Sequence, residues 1–142
     1  MSVRIDIEND RIYLHYEGLL RIKEAVTNNL SGDIREYCND INNINGVLLD
    51  VGKKRYQDWL TNLENKYGSD SKEIKTLKFV TNSITRGNYD CDVLHEVLKA
   101  LDNLDENLSI GTLWTTKQNY LIKDFKILLE ELISKNKRLI WS

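Results

Sequence analysis

Residues 3–18, "VRIDIENDRIYLHYEG", decide how the fold begins. Apolar and polar side chains alternate on both sides of Asn9 and Asp10. A period of two puts successive side chains on opposite faces of a strand, and two such runs around a tight turn predict a hairpin. The chain is therefore expected to open with a β-hairpin to which the later elements are added.

Apolar residues take helical spacing from Leu19 onward. Residues 19–30, "LLRIKEAVTNNL", and 31–44, "SGDIREYCNDINNI", predict two short helices, the second capped by Ser31 or Asp33. Residues 45–52, "NGVLLDVG", form a short apolar run between glycines, which is typical of a central strand covered on both faces.

Three further helices are predicted in the middle of the chain. One spans residues 53–68 and ends at Gly68, because glycine commonly follows a helix. The next starts at Asp70, where Glu73 completes a capping-box pattern, and ends at Gly87. The third spans residues 90–103, with Asp90 as its cap.

The last part of the chain predicts a strand, a long helix and a strand. These are residues 108–116, "LSIGTLWTT", residues 117–137, whose apolar face is broad, and residues 138–141, "RLIW". We expect an α/β or α+β fold with an N-terminal β-hairpin and a small sheet flanked by amphipathic helices, in a single domain over residues 1–142.

The composition limits the class of protein. The chain has 142 residues, of which 41% are hydrophobic and 30% charged, as in a globular domain. It has no apolar run of membrane-spanning length and no secretion signal after Met1, so a cytoplasmic location is expected. The two cysteines, Cys38 and Cys91, are then expected to be reduced thiols. The phosphate-loop, dinucleotide and zinc-protease motifs are missing, and no cofactor is expected.

Residues 89–102, "YDCDVLHEVLKALD", carry the strongest sign of chemistry. On a helix Cys91, His95 and Asp102 follow one edge of the apolar stripe, so a thiol nucleophile activated by His95 and oriented by Asp102 is the enzymatic alternative. Two cysteines and two histidines without paired short spacings do not favour a metal site. The favoured interpretation is packing without catalysis, with Cys91 largely buried and His95 at the edge of the packed face.

Charge is unevenly distributed along a chain whose net charge is −2. Residues 89–109 carry six acidic and one basic side chain, whereas residues 53–86 carry eight basic and four acidic ones. Alternating blocks of this kind disfavour nucleic acid as a partner, because a nucleic-acid site needs a basic surface. The acidic block instead predicts a protein partner with a basic surface.

Phe79 departs from the apolar stripe of its own predicted helix and lies in sequence among lysines. Either another helix covers it, or it anchors an exposed contact patch surrounded by charge.

A small acidic domain without catalytic motifs, rich in Asn, Ile and Lys, resembles the immunity proteins of bacterial toxin–immunity pairs, including those of contact-dependent inhibition systems. The resemblance is one of general character over the whole chain, and no family residue is carried over. It implies a stoichiometric inhibitor, without enzymatic activity, that binds a cognate toxin such as a nuclease. The candidate partner-binding residues are Tyr89, Asp90, Asp92, Glu96, Asp102, Asp105, Glu106, Trp114 and Phe79.

Overall fold

The computed structural model describes residues 1–42 and 50–142, which contain six strands and six helices. In chain order these are β1 (Ser2–Ile7), β2 (Asp10–His15), α1 (Tyr16–Asn29), α2 (Gly32–Asn42), α3 (Asp50–Tyr67), α4 (Lys72–Thr81), β3 (Gly87–Tyr89), α5 (Cys91–Leu101), β4 (Ser109–Leu113), β5 (Asn119–Leu121), α6 (Ile122–Ser134) and β6 (Leu139–Trp141). The strands pair antiparallel, so the fold is α+β, the second of the two predicted classes.

The predicted N-terminal hairpin is confirmed as the start of a four-stranded sheet of order β1-β2-β4-β5. Its two strands pair Val3 with Leu14 and Ile5 with Ile12. All four of these side chains are buried, because the alternation in the sequence directs every second residue toward the helices. The other face of the sheet carries the polar residues of the same strands.

A second, two-stranded sheet of β3 and β6 is joined to the first. The Arg4 N–H donates to the Ser142 carbonyl at 2.8 Å, and the Ser142 N–H donates to the Arg4 carbonyl at 3.2 Å. Trp141 is buried, and its ring lies 5.4 Å from that of Tyr89 and 6.2 Å from that of Phe79. Arg4, near the start of the described chain, is thus paired with Ser142 at its end.

The helices pack on one side of the four-stranded sheet. The α1 helix contacts β2 and β4, and the α5 helix lies between α1, α4 and α6. Amphipathic spacing explains the position of α5, since Val93, Leu94, Val97 and Leu101 are all buried. Within residues 1–42 and 50–142, no helix has both the length and the apolar composition needed to cross a membrane.

Several predicted boundaries need correction. The strand expected at residues 45–52 lies largely outside the described residues, although residues 50–52 belong to α3. Ser71, not Asp70, caps α4 by accepting the Ile74 N–H at 3.2 Å. That helix ends at Thr81, because Gly87 belongs to β3 and pairs with β6.

The long helix expected from residue 117 starts later. Tyr120 pairs with Gly111 in the sheet, which makes residues 119–121 a strand. The Asp124 carboxylate accepts the Leu121 N–H at 3.0 Å and so fixes the start of α6 at Ile122.

Candidate functional site

The acidic side chains at the start of α5 are held by lysines of α4. Asp90 caps α5, and its carboxylate lies 2.7 Å from Lys75 Nζ, which also reaches Asp92 at 3.2 Å. Lys75 holds the pKa of the Asp90 carboxyl below its usual value. One turn further along, Glu96 lies 3.1 Å from Lys72. We call Asp90, Asp92 and Glu96 the α4-side cluster.

The remaining acidic residues lie beyond the other end of α5. Lys126 of α6 binds Asp102 at 3.1 Å and Glu106 at 3.4 Å, and these carboxylates raise the pKa of Lys126, with Asp102 as the larger cause. The Asp105 carboxylate accepts the backbone N–H of Asn107 at 2.9 Å. We call Asp102, Asp105 and Glu106 the α6-side cluster.

These contacts change how the acidic block is understood. Asp92 and Asp102, each more than half exposed, are separated by roughly 15 Å along the axis of α5, and Glu96 lies between them. Five of the six carboxylates, all except that of Asp105, have a lysine as partner, and these lysines are Lys72, Lys75, Lys99 and Lys126. Four positive charges therefore offset most of the six negative ones. The block is two partly neutralised clusters and not a continuous acidic strip.

Phe79 and Tyr89 are not exposed anchors. Phe79 is 1% exposed and Tyr89 is buried, and their ring centroids are 5.0 Å apart. Of the two alternatives for Phe79, the structure supports cover by neighbouring elements. The cover comes from Tyr89 and Trp141 in the β3–β6 sheet and, as expected, from another helix, since Lys23 Nζ of α1 lies 5.7 Å from the Phe79 ring centroid. Both residues belong to the core, so the prediction that they form part of a partner-binding surface is wrong.

Trp114 is exposed, but it does not lie beside the acidic clusters. Its side chain is 52% exposed and follows the end of β4. The α6-side cluster precedes the other end of this five-residue strand, roughly 15 Å away. Trp114 instead lies beside Tyr13, with ring centroids 5.8 Å apart, and beneath Lys117, whose Nζ is 3.5 Å from the indole centroid.

Cys91, His95 and Asp102 do not form the arrangement that catalysis requires. Cys91 is half-buried at the start of α5. Its Sγ lies 3.5 Å from Asn136 Oδ1 and 3.8 Å from the Lys137 carbonyl. His95 is exposed, and Asp102 binds Lys126. Among the described residues, no hydrogen bond joins any two of these three side chains.

Cys38 is the fully buried cysteine. Burial raises the pKa of its thiol to about 12, so the side chain stays protonated and packs as a small apolar group. In the described part of the chain, no three His, Cys, Asp or Glu side chains converge so as to hold a metal ion.

One unusual charged residue was not predicted from the sequence. Lys23 of α1 is 6% exposed, and its Nζ donates to the Asn82 carbonyl at 3.0 Å. Burial lowers the pKa of its ammonium to about 8. The signal was present, since Leu19, Ile22, Lys23 and Val26 have the i, i+3, i+4, i+7 spacing of one helix face.

Within residues 1–42 and 50–142, the exposed residues among the predicted partner-binding set thus lie in three places: the α4-side cluster, the α6-side cluster and the position of Trp114. The shifted pKa values around α5 have structural causes, because each belongs to an ion pair or a cap. No protein-family model, curated protein or solved structure shows a significant match to this chain.

Proposed function

We propose that this chain is a stoichiometric binding protein of the immunity type, which neutralises a cognate bacterial toxin through the acidic clusters beside α5. The observation that carries the proposal is that Asp92, Asp102 and Glu106 each keep more than half of the side chain exposed while a lysine fixes their position. The function is non-catalytic and needs no cofactor, and the protein acts in the cytoplasm.

Charge complementarity gives this arrangement a physical role. Carboxylates that are already positioned lose little side-chain entropy when a partner binds, and their exposed oxygens accept hydrogen bonds from arginine or lysine. A toxin that acts on nucleic acid has a basic substrate surface, which long-range attraction draws toward such carboxylates. The clusters would then cover that surface and exclude its substrate.

The separation of the clusters makes the proposal more specific. Two acidic areas roughly 15 Å apart, at the two ends of α5, suit two separate basic areas on the partner. The lysines that contact each cluster discourage binding to a uniformly charged polyanion or polycation, because positive and negative charges lie side by side. This pattern favours one cognate partner.

The test uses the toxin domain that we expect to be encoded beside the gene for this chain. Mixing the two purified proteins should give a one-to-one complex and abolish the toxin's activity. The variant Asp92→Asn/Glu106→Gln should slow association by roughly tenfold at low ionic strength, and less at high salt. Folding should be retained because Lys75 keeps Asp90 and Lys126 keeps Asp102 as partners.

A matched control removes the same charge elsewhere. Glu36 and Asp58 are exposed on α2 and α3, and Glu36→Gln/Asp58→Asn should leave the association rate unchanged. Equal rates for the two double variants would contradict the use of the acidic clusters. A lack of both binding and neutralisation by the parent chain would contradict the immunity function itself.

A further inference from the structure

The side of the four-stranded sheet that faces away from the helices carries a distinct set of side chains. Its strand residues alternate with the buried ones, and all are exposed or half-buried. We call this surface the outer face and define it by Arg4, Asp6, Arg11, Tyr13, Thr112 and the adjacent Trp114.

The outer face continues onto β6. Arg4 pairs with Ser142, and paired residues of antiparallel strands project on the same side. Ile140 is two residues from Ser142, so its exposed side chain projects on this side as well. Asn88 pairs with Ile140, and Arg138 donates from its Nε to the Asn88 side-chain oxygen. The surface therefore extends from β3 to β4.

This surface carries a small excess of positive charge, although the chain as a whole is acidic. Asp10 and the exposed Glu8, at the hairpin turn, line the same depression as Arg11 and Trp114 and offset part of that charge. Asp6 is the acidic side chain at its centre, and it is shared by Arg4 at 3.4 Å and Arg11 at 3.5 Å. Lys117 and Arg138 add two cations at the margins. Because two guanidinium groups share one carboxylate, each retains N–H donors for another acceptor.

Asp10, at the hairpin end, is a second ionised carboxylate, and its oxygens already accept hydrogen bonds from the protein. Its carboxylate accepts from the Thr115 hydroxyl at 2.7 Å and from two backbone N–H groups. These bonds, the Thr115 hydroxyl first among them, lower the pKa of the Asp10 carboxyl. The carboxylate therefore orders the loop that carries Trp114.

The same surface holds the residue types that dominate protein interfaces. Trp114 is exposed and contacts Tyr13, and Arg11 flanks this aromatic pair. Trp, Tyr and Arg are the side chains most enriched at binding hot spots. The exposed Ile140 supplies an aliphatic contact at the other margin.

We propose that the outer face is a docking surface for an acidic protein segment, whose carboxylates pair with Arg4 and Arg11 and whose apolar side chains pack on Trp114. Charge complementarity favours this partner at β1 and β2, because Arg4 and Arg11 share the single carboxylate of Asp6. The proposal goes beyond the proposed function, since this face lies across the sheet from α5 and takes a partner surface of the opposite charge.

A protein partner is favoured over single-stranded nucleic acid by the state of the aromatic rings. Stacking of bases needs an open ring face. The Lys117 ammonium already lies 3.5 Å from the Trp114 ring centroid, and Tyr13 packs against the same side chain at an interplanar angle of 58°.

The test titrates the full chain with a short fluorescein-labelled peptide of glutamate and tyrosine, at low ionic strength. Saturable binding by anisotropy is expected, with amide shifts of the ¹⁵N-labelled chain confined to the strands of the outer face. Arg4→Gln/Arg11→Gln should weaken binding roughly tenfold, whereas the charge-matched Lys53→Gln/Lys54→Gln on α3 should not. Trp114→Ser, which keeps every charge, should also weaken it.

Three results would overturn the proposal. One is an absence of saturable binding, and another is an equal loss in the Arg and Lys double variants. The third is tighter binding of an oligothymidylate of the same length that is lost with Arg4→Gln/Arg11→Gln, which would assign the face to nucleic acid. Circular dichroism confirms that each variant is folded. The assay contains no toxin, so failure to neutralise a toxin leaves its outcome untouched.

Discussion

Lys23 is a buried lysine, whereas charged side chains usually lie at the protein surface. Its ammonium lies at the C-terminal end of α4, where the Asn82 carbonyl accepts its hydrogen bond, and 5.7 Å from the Phe79 ring centroid. Both contacts favour a cation, but burial lowers the pKa from 10.5 to about 8. Desolvation therefore outweighs the two contacts, and the charge destabilises the fold at neutral pH.

Replacing Lys23 by methionine should therefore stabilise the protein. We expect the free energy of unfolding at pH 7 to rise by roughly 1–2 kcal/mol, which is the desolvation cost less the lost hydrogen bond. Urea unfolding of the parent and Lys23→Met chains measures the difference. Lys23→Arg is the control, because it keeps the charge and should not stabilise.

The same residue predicts a pH dependence. Between pH 8 and 10.5 the unfolded chain holds a proton on Lys23 that the folded chain has released, so stability should rise with pH in the parent. The advantage of Lys23→Met should shrink from pH 7 to pH 9. Cys38, whose folded pKa is about 12, opposes the rise above pH 9 equally in both proteins. An advantage that stays constant over this range would contradict the assignment.

Individual residues were predictable where their neighbours in sequence decide their surroundings. The cap Asp90 and the amphipathic face of α5 follow from local spacing, and both are confirmed. The surroundings of Cys91 do not, because Asn136 and Lys137 come from the distant turn before β6. The sequence likewise leaves open whether Phe79 is buried or exposed, since the residues that cover it come from β3, β6 and α1.

At the scale of elements, α5 depends on Asp90 in two ways. Its carboxylate accepts the N–H groups of Asp92 and Val93, and it pairs with Lys75. Asp90→Ala removes both contributions and should cost roughly 1–2 kcal/mol of unfolding free energy. Asp90→Asn keeps an N-cap acceptor and should cost less than about 1 kcal/mol. Thermal unfolding of the two variants ranks them, and equal losses would assign the whole effect to the ion pair.

The β4 strand depends on a glycine at its centre. A Cβ atom on Gly111 would lie 2.1 Å from the Tyr13 carbonyl oxygen, which belongs to the backbone of the neighbouring strand and cannot turn aside. Gly111→Ala should therefore cost roughly 3 kcal/mol or more, at the upper end of single substitutions. Thr112→Ala, at the next position, is the control and should cost far less. Similar unfolding midpoints for the two would refute the close approach.

Element types were predicted better than their ends. Helix α4 stops before Gly87 because residues 87–89 pair with β6, a contact far away in sequence. The apolar pattern of α6 continues through Leu121 and Ile122 and so predicts a helix over residues 119–121, whereas pairing with β4 makes them a strand. Long-range pairing overrides local spacing in both cases.

At the scale of the whole molecule, β6 connects the small sheet to the large one. Trp141 packs against Phe79 and Tyr89, and its Nε1 donates to the Ile84 carbonyl at 3.1 Å. Trp141→Ala should lower the unfolding free energy by roughly 3–5 kcal/mol. Ile140→Ala, at the exposed neighbouring position, should change it by less than about 1 kcal/mol. A small effect of Trp141→Ala would show that the two sheets are stable independently.

The charge map shows why the candidate site was predicted in part. Residues 89–109 are acidic in sequence, and the exposure of Asp102 and Glu106 agrees with a surface role. Lys75 and Lys126, which offset that charge, come from helices on either side of α5. The outer face combines β1, β2, β4 and β6, so no single stretch of sequence carries its pattern.

The hydrogen bonds between Arg4 and Ser142 join residues that are far apart in sequence, so Arg4 leaves the ribosome well before Ser142. Until residues 139–142 emerge, β1 has one open edge and the Phe79–Tyr89 cluster lacks Trp141. The helices can form locally during translation, but the nascent chain must keep this edge from pairing with other strands. The charged residues Arg4 and Asp6 on that strand disfavour such pairing, and they would protect the nascent chain until residues 139–142 have reached β1.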